Sequence, residues 1–501
     1  VEPGAFLGVD GGAVLKGIEA CEGMWEGIQV LGDPSLRQLP MNQGVVRLSE
    51  GAMIRDALTG IRTGRTAYNA NGHPVPSFQS PGGIVQVFGG RFRNNRKGVE
   101  FLPYTDPMTP AFNRSAFINA RFEATDVMRD PDFVDARGRR LSVSEHLTLF
   151  EVRGVRVFGT DFVHSAGLDE DLRGTGIGAF DATFTVGSRC LDTVFDPVPG
   201  CQNQDRSRFE DLAQGIVTEA TLSTRRMSVR DSDFVDVQRG ITTTAQSFDR
   251  IEDNNFQISP GFSGATYGVA IDGGEGFVVA GNHFTSDLSA NNAAVQVRDS
   301  GLLPNQLAEN EVETVVAGFR LFGDNPELDV FCNRFTANPE AALVVGGLLK
   351  AQGSCQPGEF AADNTFATSA ATHILSGLGP GFTYHHSLAP LAQPVTVGPV
   401  TLVGCPGQVP TCPRPDPCQN PADCPIEPQL LVRLAQEGRY PRLAAVLEEA
   451  ALQEAARDGA NLWLARYFAE EREFLRAEAA LSRISGLLKG HAVSRTLRNL
   501  R

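Results

Sequence analysis

The stretch 254–284, NNFQISPGFSGATYGVAIDGGEGFVVAGNHF, opens on Asn254-Asn255-Phe256 and closes on Asn282-His283-Phe284. Between these two markers lies Gly268-Val269-Ala270-Ile271, a glycine followed by β-alternating residues. Both features recur. A small or polar residue, a spacer and Phe stand at Gly90-Arg91-Phe92, Ala120-Arg121-Phe122, Thr160-Asp161-Phe162, Ser207-Arg208-Phe209, Ser232-Asp233-Phe234, Asn333-Arg334-Phe335 and Asn364-Thr365-Phe366, with Asn310-Glu311-Val312 carrying Val instead. Successive markers at 92, 122, 162, 209, 234, 256, 284, 312, 335 and 366 differ by 30, 40, 47, 25, 22, 28, 28, 23 and 31. The glycine pattern alternates with them at Gly27-Ile28, Gly60-Ile61, Gly98-Val99, Gly215-Ile216, Gly240-Ile241 and Gly318-Phe319.

At least two short strands per repeat, without helical spacing between them, describe the coils of a parallel β-helix solenoid. Propeller blades need four strands and about 40–50 residues, which the shortest intervals cannot hold. The intervals of 40 and 47 carry insertions, with Asp169-Glu170-Asp171 and the segment Cys190 to Cys201 read as loops leaving the coil. Phe then forms an internal stack. Asn254, Asn282, Asn310, Asn333 and Asn364 share one position two residues before the marker and so face inward, where stacked amides satisfy one another along the helix. A binding role for that column is the rival reading.

The 501 residues, with 53 Gly, 31 Phe and 30 Pro and 21% charged, suffice for several cores and exclude a disordered tail. No run of 18 apolar residues occurs, and residues 1–25 lack a charged leader pattern, so neither a membrane span nor a retained signal peptide is expected. The first residue is not Met, which suggests a processed front. Formal charge is −15, which opposes nucleic acid as a partner and suits a soluble or cation-binding acidic surface.

The β-helix is expected over 1–389. Residues 390–427 become rich in Pro and Cys and read as a stapled linker. From 428 to 501 Ala, Leu, Glu and Arg dominate, with Leu443, Val446, Leu447 and Ala450 at helical spacing. Glu437-Gly438-Arg439-Tyr440-Pro441-Arg442-Leu443 matches Glu471-Arg472-Glu473-Phe474-Leu475-Arg476-Ala477 at an offset of 34, which resembles two tetratricopeptide-like helical pairs. The expected fold class is therefore mainly β, a right-handed parallel β-helix solenoid followed by a small all-α helical-repeat segment.

Nine cysteines stand at 21, 190, 201, 332, 355, 405, 412, 418 and 424. The last four lack the Cys-x-x-Cys knuckle of zinc sites, so disulfides are favoured over zinc for Cys405, Cys412, Cys418 and Cys424. Cys190 with Cys201 and Cys332 with Cys355 are the local pairs to draw. Disulfides imply an oxidising, extracytoplasmic site, and Cys21 is left over.

The segments Cys21-Glu22-Gly23-Met24-Trp25-Glu26-Gly27-Ile28-Gln29-Val30, Met53-Ile54-Arg55-Asp56-Ala57-Leu58-Thr59-Gly60-Ile61 and Phe92-Arg93-Asn94-Asn95-Arg96-Lys97-Gly98-Val99 resemble the right-handed parallel β-helix proteins of the pectate-lyase-like superfamily secreted by Bacteroidota. The resemblance covers roughly residues 1–370 and implies a large surface protein. Many such proteins end in a sorting domain for type IX secretion, which is not recognisable here.

Enzymes of this superfamily act mostly on acidic polysaccharides, through Ca²⁺-binding carboxylates with an Arg base or through paired Asp residues. Neither the Asn-Thr-Asp, Asp-Asp and Gly-His-Gly set of polygalacturonases nor the Trp-Ile-Asp-His and Arg-x-Pro-x-x-Arg of pectate lyases is present. One constellation remains. Arg206, Asp231 and Asp253 stand three residues before the marker on consecutive coils, with Asp233 and Asn255 two residues along, and Glu309 and Asp363 continue the column. Coils about 4.8 Å apart make Asp231 and Asp253 repel unless Ca²⁺ or Arg206 lies between them. An Arg-compensated turn is the plain reading; a Ca²⁺ or sugar site is the other. His283 and the pair His385-His386 lack ligand partners at useful spacing and are read as surface or turn residues.

Two functions are carried forward. The first is a secreted cell-surface scaffold, adhesive or structural and without catalysis, whose helical tail joins other surface proteins or subunits and whose face meets proteins or glycans. The second is a polysaccharide lyase or glycoside hydrolase with Asp231, Asp233, Asp253 and Arg206 in its groove. No cofactor motif is recognised beyond the candidate Ca²⁺ at Asp231 and Asp253.

Overall fold

The computed structural model describes residues 1–407, apart from 19–22, 71–73, 108–112, 132, 166, 192–202, 222–224, 259–261, 263, 288–290, 357–358, 367–370, 378 and 390. The helical-repeat segment expected at 428–501, together with Cys412, Cys418 and Cys424, lies outside the described residues, as do Cys21 and Cys201.

Each coil contributes three strands, one more than the two that carry the Phe and Gly markers. In one turn, Val278–Ala280, His283–Ser286 and Asn292–Arg298 follow one another; the next repeats the order with Asn305–Ala308, Glu311–Glu313 and Ala317–Asn325. Each strand pairs in parallel with its counterpart one coil along, which builds sheets of 11, 12 and 13 strands among the described residues. The missed strand carries runs such as Val278-Val279-Ala280 and Met227-Ser228-Val229-Arg230, which hold neither the Phe nor the Gly marker.

The Phe frame holds in the 12-stranded sheet. Phe92, Phe122, Phe162, Phe209, Phe234, Phe256 and Phe284 are register partners in turn, and Val312, Phe335 and Phe366 continue the column. The seven consecutive rings stack at centroid separations of 4.6–4.9 Å and lie within 10° of parallel. That separation is the strand spacing of a sheet, so an in-register Phe has no choice but to stack on the next.

The Gly pattern follows from the same rings. In the 13-stranded sheet a Cβ at Gly240 would fall 2.8 Å from a ring carbon of Phe256, and one at Gly268 only 2.5 Å from Phe284. Glycine is what lets every ring of the Phe stack but Phe162 lie against the neighbouring sheet.

The Asn column is a continuous ladder. The Oδ1 of Asn282 accepts from the backbone N–H and the side-chain Nδ2 of Asn254, both at 3.0 Å. Asn310 does the same for Asn282, Asn333 for Asn310 and Asn364 for Asn333, at 2.9–3.1 Å. Each Nδ2 also donates to a backbone carbonyl, those of Val229, Ile251, Val279, Leu307 and Val330. All five residues are buried, and every amide has partners, as burial requires.

Insertions leave the coil where the marker intervals lengthen. The 47-residue interval holds the short 3₁₀ turn Glu170–Leu172 and an antiparallel pair, Arg189–Cys190 with Gln204–Asp205. Two expectations are corrected. β-structure runs past residue 389, because Thr396–Val397 joins the 13-stranded sheet and Val400–Cys405 pairs with Phe382–Ser387, so the linker does not begin at 390. Cys355 bonds to Cys405, 50 residues on, and not to Cys332. The strand Val400–Cys405 brings Cys405 back to the coil, a return that cysteine spacing alone does not encode. Cys190 and Cys332 are also disulfide-bonded.

Candidate functional site

The carboxylate column read from the sequence lies at a corner of the coil. Three residues before each marker the chain turns from the 11-stranded to the 12-stranded sheet through one residue with positive φ. Asp231 (46°), Asp253 (58°), Glu309 (55°) and Asp363 (45°) are such residues, and so are Gly51, Gly89, Asn119, Gly159, Gly281 and Cys332. Gly, Asn and Asp tolerate this left-handed conformation better than other types, so the corner by itself accounts for Asp at these positions. Arg206, which enters from the antiparallel insertion, does not share it.

Arg206 nonetheless joins the column. Its Nε donates to Asp233 Oδ1 at 2.7 Å, its Nη1 lies 3.7 Å from Asp231 Oδ1, and its Nη2 donates to the backbone carbonyls of Asp253 (2.7 Å) and Ser232 (3.3 Å). Asn255 donates to Asp233 at 2.8 Å. Partial burial raises the Asp231 carboxyl above the usual carboxylate range; Arg206 offsets this and the neighbouring Asp253 adds to it. The guanidinium thus bridges three coils, although it reaches Asp253 through the main chain and not through its carboxylate.

A second group on the outer face of the same sheet overturns the reading of His283 as partnerless. His283 and Glu311 are register partners on adjacent coils, and Glu313 stands two residues further along the same face. Donor atoms of all three lie within 4.8 Å of one another, with His283 Nε2 3.6 Å from Glu313 Oε2, and among the described residues they are the sole group of metal-ligating side chains so close. Arg334, the register partner of Glu311 on the next coil, contacts Glu311 Oε1 at 2.8 Å. The His385-His386 reading also changes: both lie in the strand Phe382–Ser387, and His386 is buried with Nδ1 2.8 Å from the Ser387 carbonyl.

Three further titratable groups sit inside the coil, unannounced by any motif. His146 occupies the Gly column between Gly98 and Gly176, and its ring meets that of His164 edge-on at 5.3 Å. Burial lowers both imidazoles, His164 to about 4, and neither ring nitrogen of His164 has a hydrogen-bond partner. Asp249 accepts from the Met227 N–H at 2.8 Å, and burial pushes its carboxyl up to about 8. Shifted groups often mark active sites, but these are shut off from solvent and serve the core. On the outer face of the 13-stranded sheet, Arg62 contacts Glu100 at 2.6 Å and Lys97 contacts it at 2.7 Å; the two cations hold that buried carboxylate ionised against its desolvation.

Residues 200–351 match the family described as periplasmic copper-binding protein (NosD). Solved structures similar to the chain include PfbA, a surface adhesin of Streptococcus pneumoniae (11% identity, 70% of this chain and 82% of that one, TM-score 0.30). Bacteriophage CBA120 tailspike protein 3 is another (11% identity, 81% and 57%, TM-score 0.23). Comparison with curated proteins found no match. No described helix is long and apolar enough to cross a membrane. The His283 imidazole and the Glu311 and Glu313 carboxylates are a mixed nitrogen and oxygen donor set, which suits borderline divalent ions and lacks the thiolate and thioether donors that soft ions favour.

Proposed function

We propose that the chain is a β-helix scaffold of the cell envelope or cell surface, adhesive or structural, that presents its long outer face to glycans or other surface proteins. The observation that carries this reading is the Arg206 bridge: the Asp231 and Asp233 carboxylates are engaged by an arginine that also holds the Asp253 carbonyl, and Asp231 and Asp253 are placed by a backbone turn. The continuous Phe and Asn ladders supply a rigid rod, which an adhesive or structural role requires and catalysis does not. The disulfide Cys355–Cys405 and the periplasmic description of the matched family support an oxidising compartment. Bacteroidota origin, type IX export and assembly through residues 428–501 belong to the same proposal and rest on the sequence resemblance.

The test is a screen of the purified chain against pectins, alginates and glycosaminoglycans, with and without Ca²⁺, read for both binding and product. Binding without bond cleavage is expected. Release of unsaturated or reducing-end products that stops on Asp233→Asn would replace the scaffold reading with the lyase or hydrolase one.

A further inference from the structure

We propose that His283, Glu311 and Glu313 form a surface site for one divalent transition-metal ion, Cu²⁺ or Zn²⁺, bridging two adjacent coils. This goes beyond the scaffold reading and does not depend on it. The parallel register sets His283 beside Glu311, and strand alternation returns Glu313 to the same outward face, so the backbone itself preassembles one nitrogen and two oxygen donors. Their donor atoms already lie within 4.8 Å of one another, a span that side-chain rotation closes around an ion needing ligands at about 2.0–2.2 Å. All three are half-buried and belong to an ordered sheet, which lowers the entropy lost on binding.

The donor set chooses the ion. An imidazole with two carboxylates suits Cu²⁺ and Zn²⁺, while Ca²⁺ and Mg²⁺ call for all-oxygen shells of six or more ligands. Independently of the geometry, the stretch 200–351 that matches the copper-binding family contains all three residues. Arg334 opposes the ion by holding one oxygen of Glu311, yet its side chain is two-thirds exposed and free to swing into solvent. It acts as a competing cation, so removing it strengthens the site.

The experiment is isothermal titration of the full, tag-free chain with CuCl₂ and ZnCl₂, with CaCl₂ and MgCl₂ as controls. Copper electron paramagnetic resonance runs in parallel. Wild type should bind one equivalent that is lost in His283→Ala, with Cu²⁺ tighter than Zn²⁺ and little response to Ca²⁺ or Mg²⁺. Glu313→Gln should weaken binding roughly tenfold or more, and Arg334→Ala should strengthen it several-fold, since a ligand is lost in one and a competitor in the other. The copper spectrum should show coupling to a single imidazole nitrogen that vanishes in His283→Ala. Thr244→Ala, at an exposed position of the 13-stranded sheet, checks that a surface change alone has no effect, and circular dichroism checks folding of every variant. Unchanged stoichiometry and affinity in both His283→Ala and Glu313→Gln, or no Cu²⁺ or Zn²⁺ binding by wild type, overturns the site.

Discussion

The coils from Asn254 to Asn364 and those from Gly90 to Thr160 solve the same corner in opposite ways. In the later coils the inward corner position holds asparagine five times, and each amide is satisfied by the next. In the earlier coils it holds Gly90, Ala120 and Thr160, and the interior polar groups are His146 and His164, which retain unpartnered nitrogens. The later coils step by 23 to 31 residues without a long insertion, whereas the earlier ones step by 30 and 40 and are followed by a step of 47 to Ser207. A buried amide is stable only when its neighbour one coil along supplies the other half of the bond, so a ladder of this kind grows through regular coils and stops where they change. Ser207 and Ser232 mark the transition: Ser232 donates its N–H to Asn254 Oδ1, while the Oγ of Ser207 turns back to the Gly187 carbonyl.

The largest expected effect lies in the stack that both regions share. Phe256→Ala or Phe284→Ala should cost about 3–5 kcal/mol in urea unfolding, the usual loss for a buried aromatic. Thermal stability that stays at the wild-type value would break the common Phe frame.

The next effect separates the regions by pH. His164 has a folded value of about 4, below the ordinary histidine value of about 6.5. Between those values the unfolded chain takes up the proton and the folded chain does not, so stability falls as pH drops through this window, by about 3 kcal/mol at pH 4. His164→Leu should flatten that slope. Hydrogen exchange at pH 5 against pH 7 should show the loss first in the coils around Phe122 and Phe162, and a uniform response across the solenoid would count against the contrast.

Breaking the ladder should be milder but local. Asn282→Leu leaves the Asn254 N–H and amide without their acceptor, and a loss of about 2 kcal/mol is expected. Exchange protection should fall at Asn254 and Asn310 and hold at Phe122. Smallest is Arg206→Ala, at about 1 kcal/mol for a partly exposed ion pair, with partial recovery at acid pH as Asp231, whose carboxyl burial already raises above the ordinary range, takes up a proton. Stability that is unaltered by this variant at neutral pH would remove the bridge from the account of the corner.

What the sequence determined by itself is whatever repeats as like on like. Phe, Gly and Asn recur at one coil position each, and an in-register parallel sheet must stack them, so the solenoid, its aromatic core and its amide ladder were all legible. The third strand was not, because its Val, Ile and Ala residues form short apolar runs with no marker among them. Asp231 and Asp253 were found in their column, yet only the backbone showed that the column is a left-handed corner. Tertiary structure alone decided the partners of unlike kind: Cys355 with Cys405, and His283 with Glu311 and Glu313. Such partners are separated by whole coils, whose length varies from 22 residues upward, so no fixed sequence spacing announces them until register has set the strands side by side.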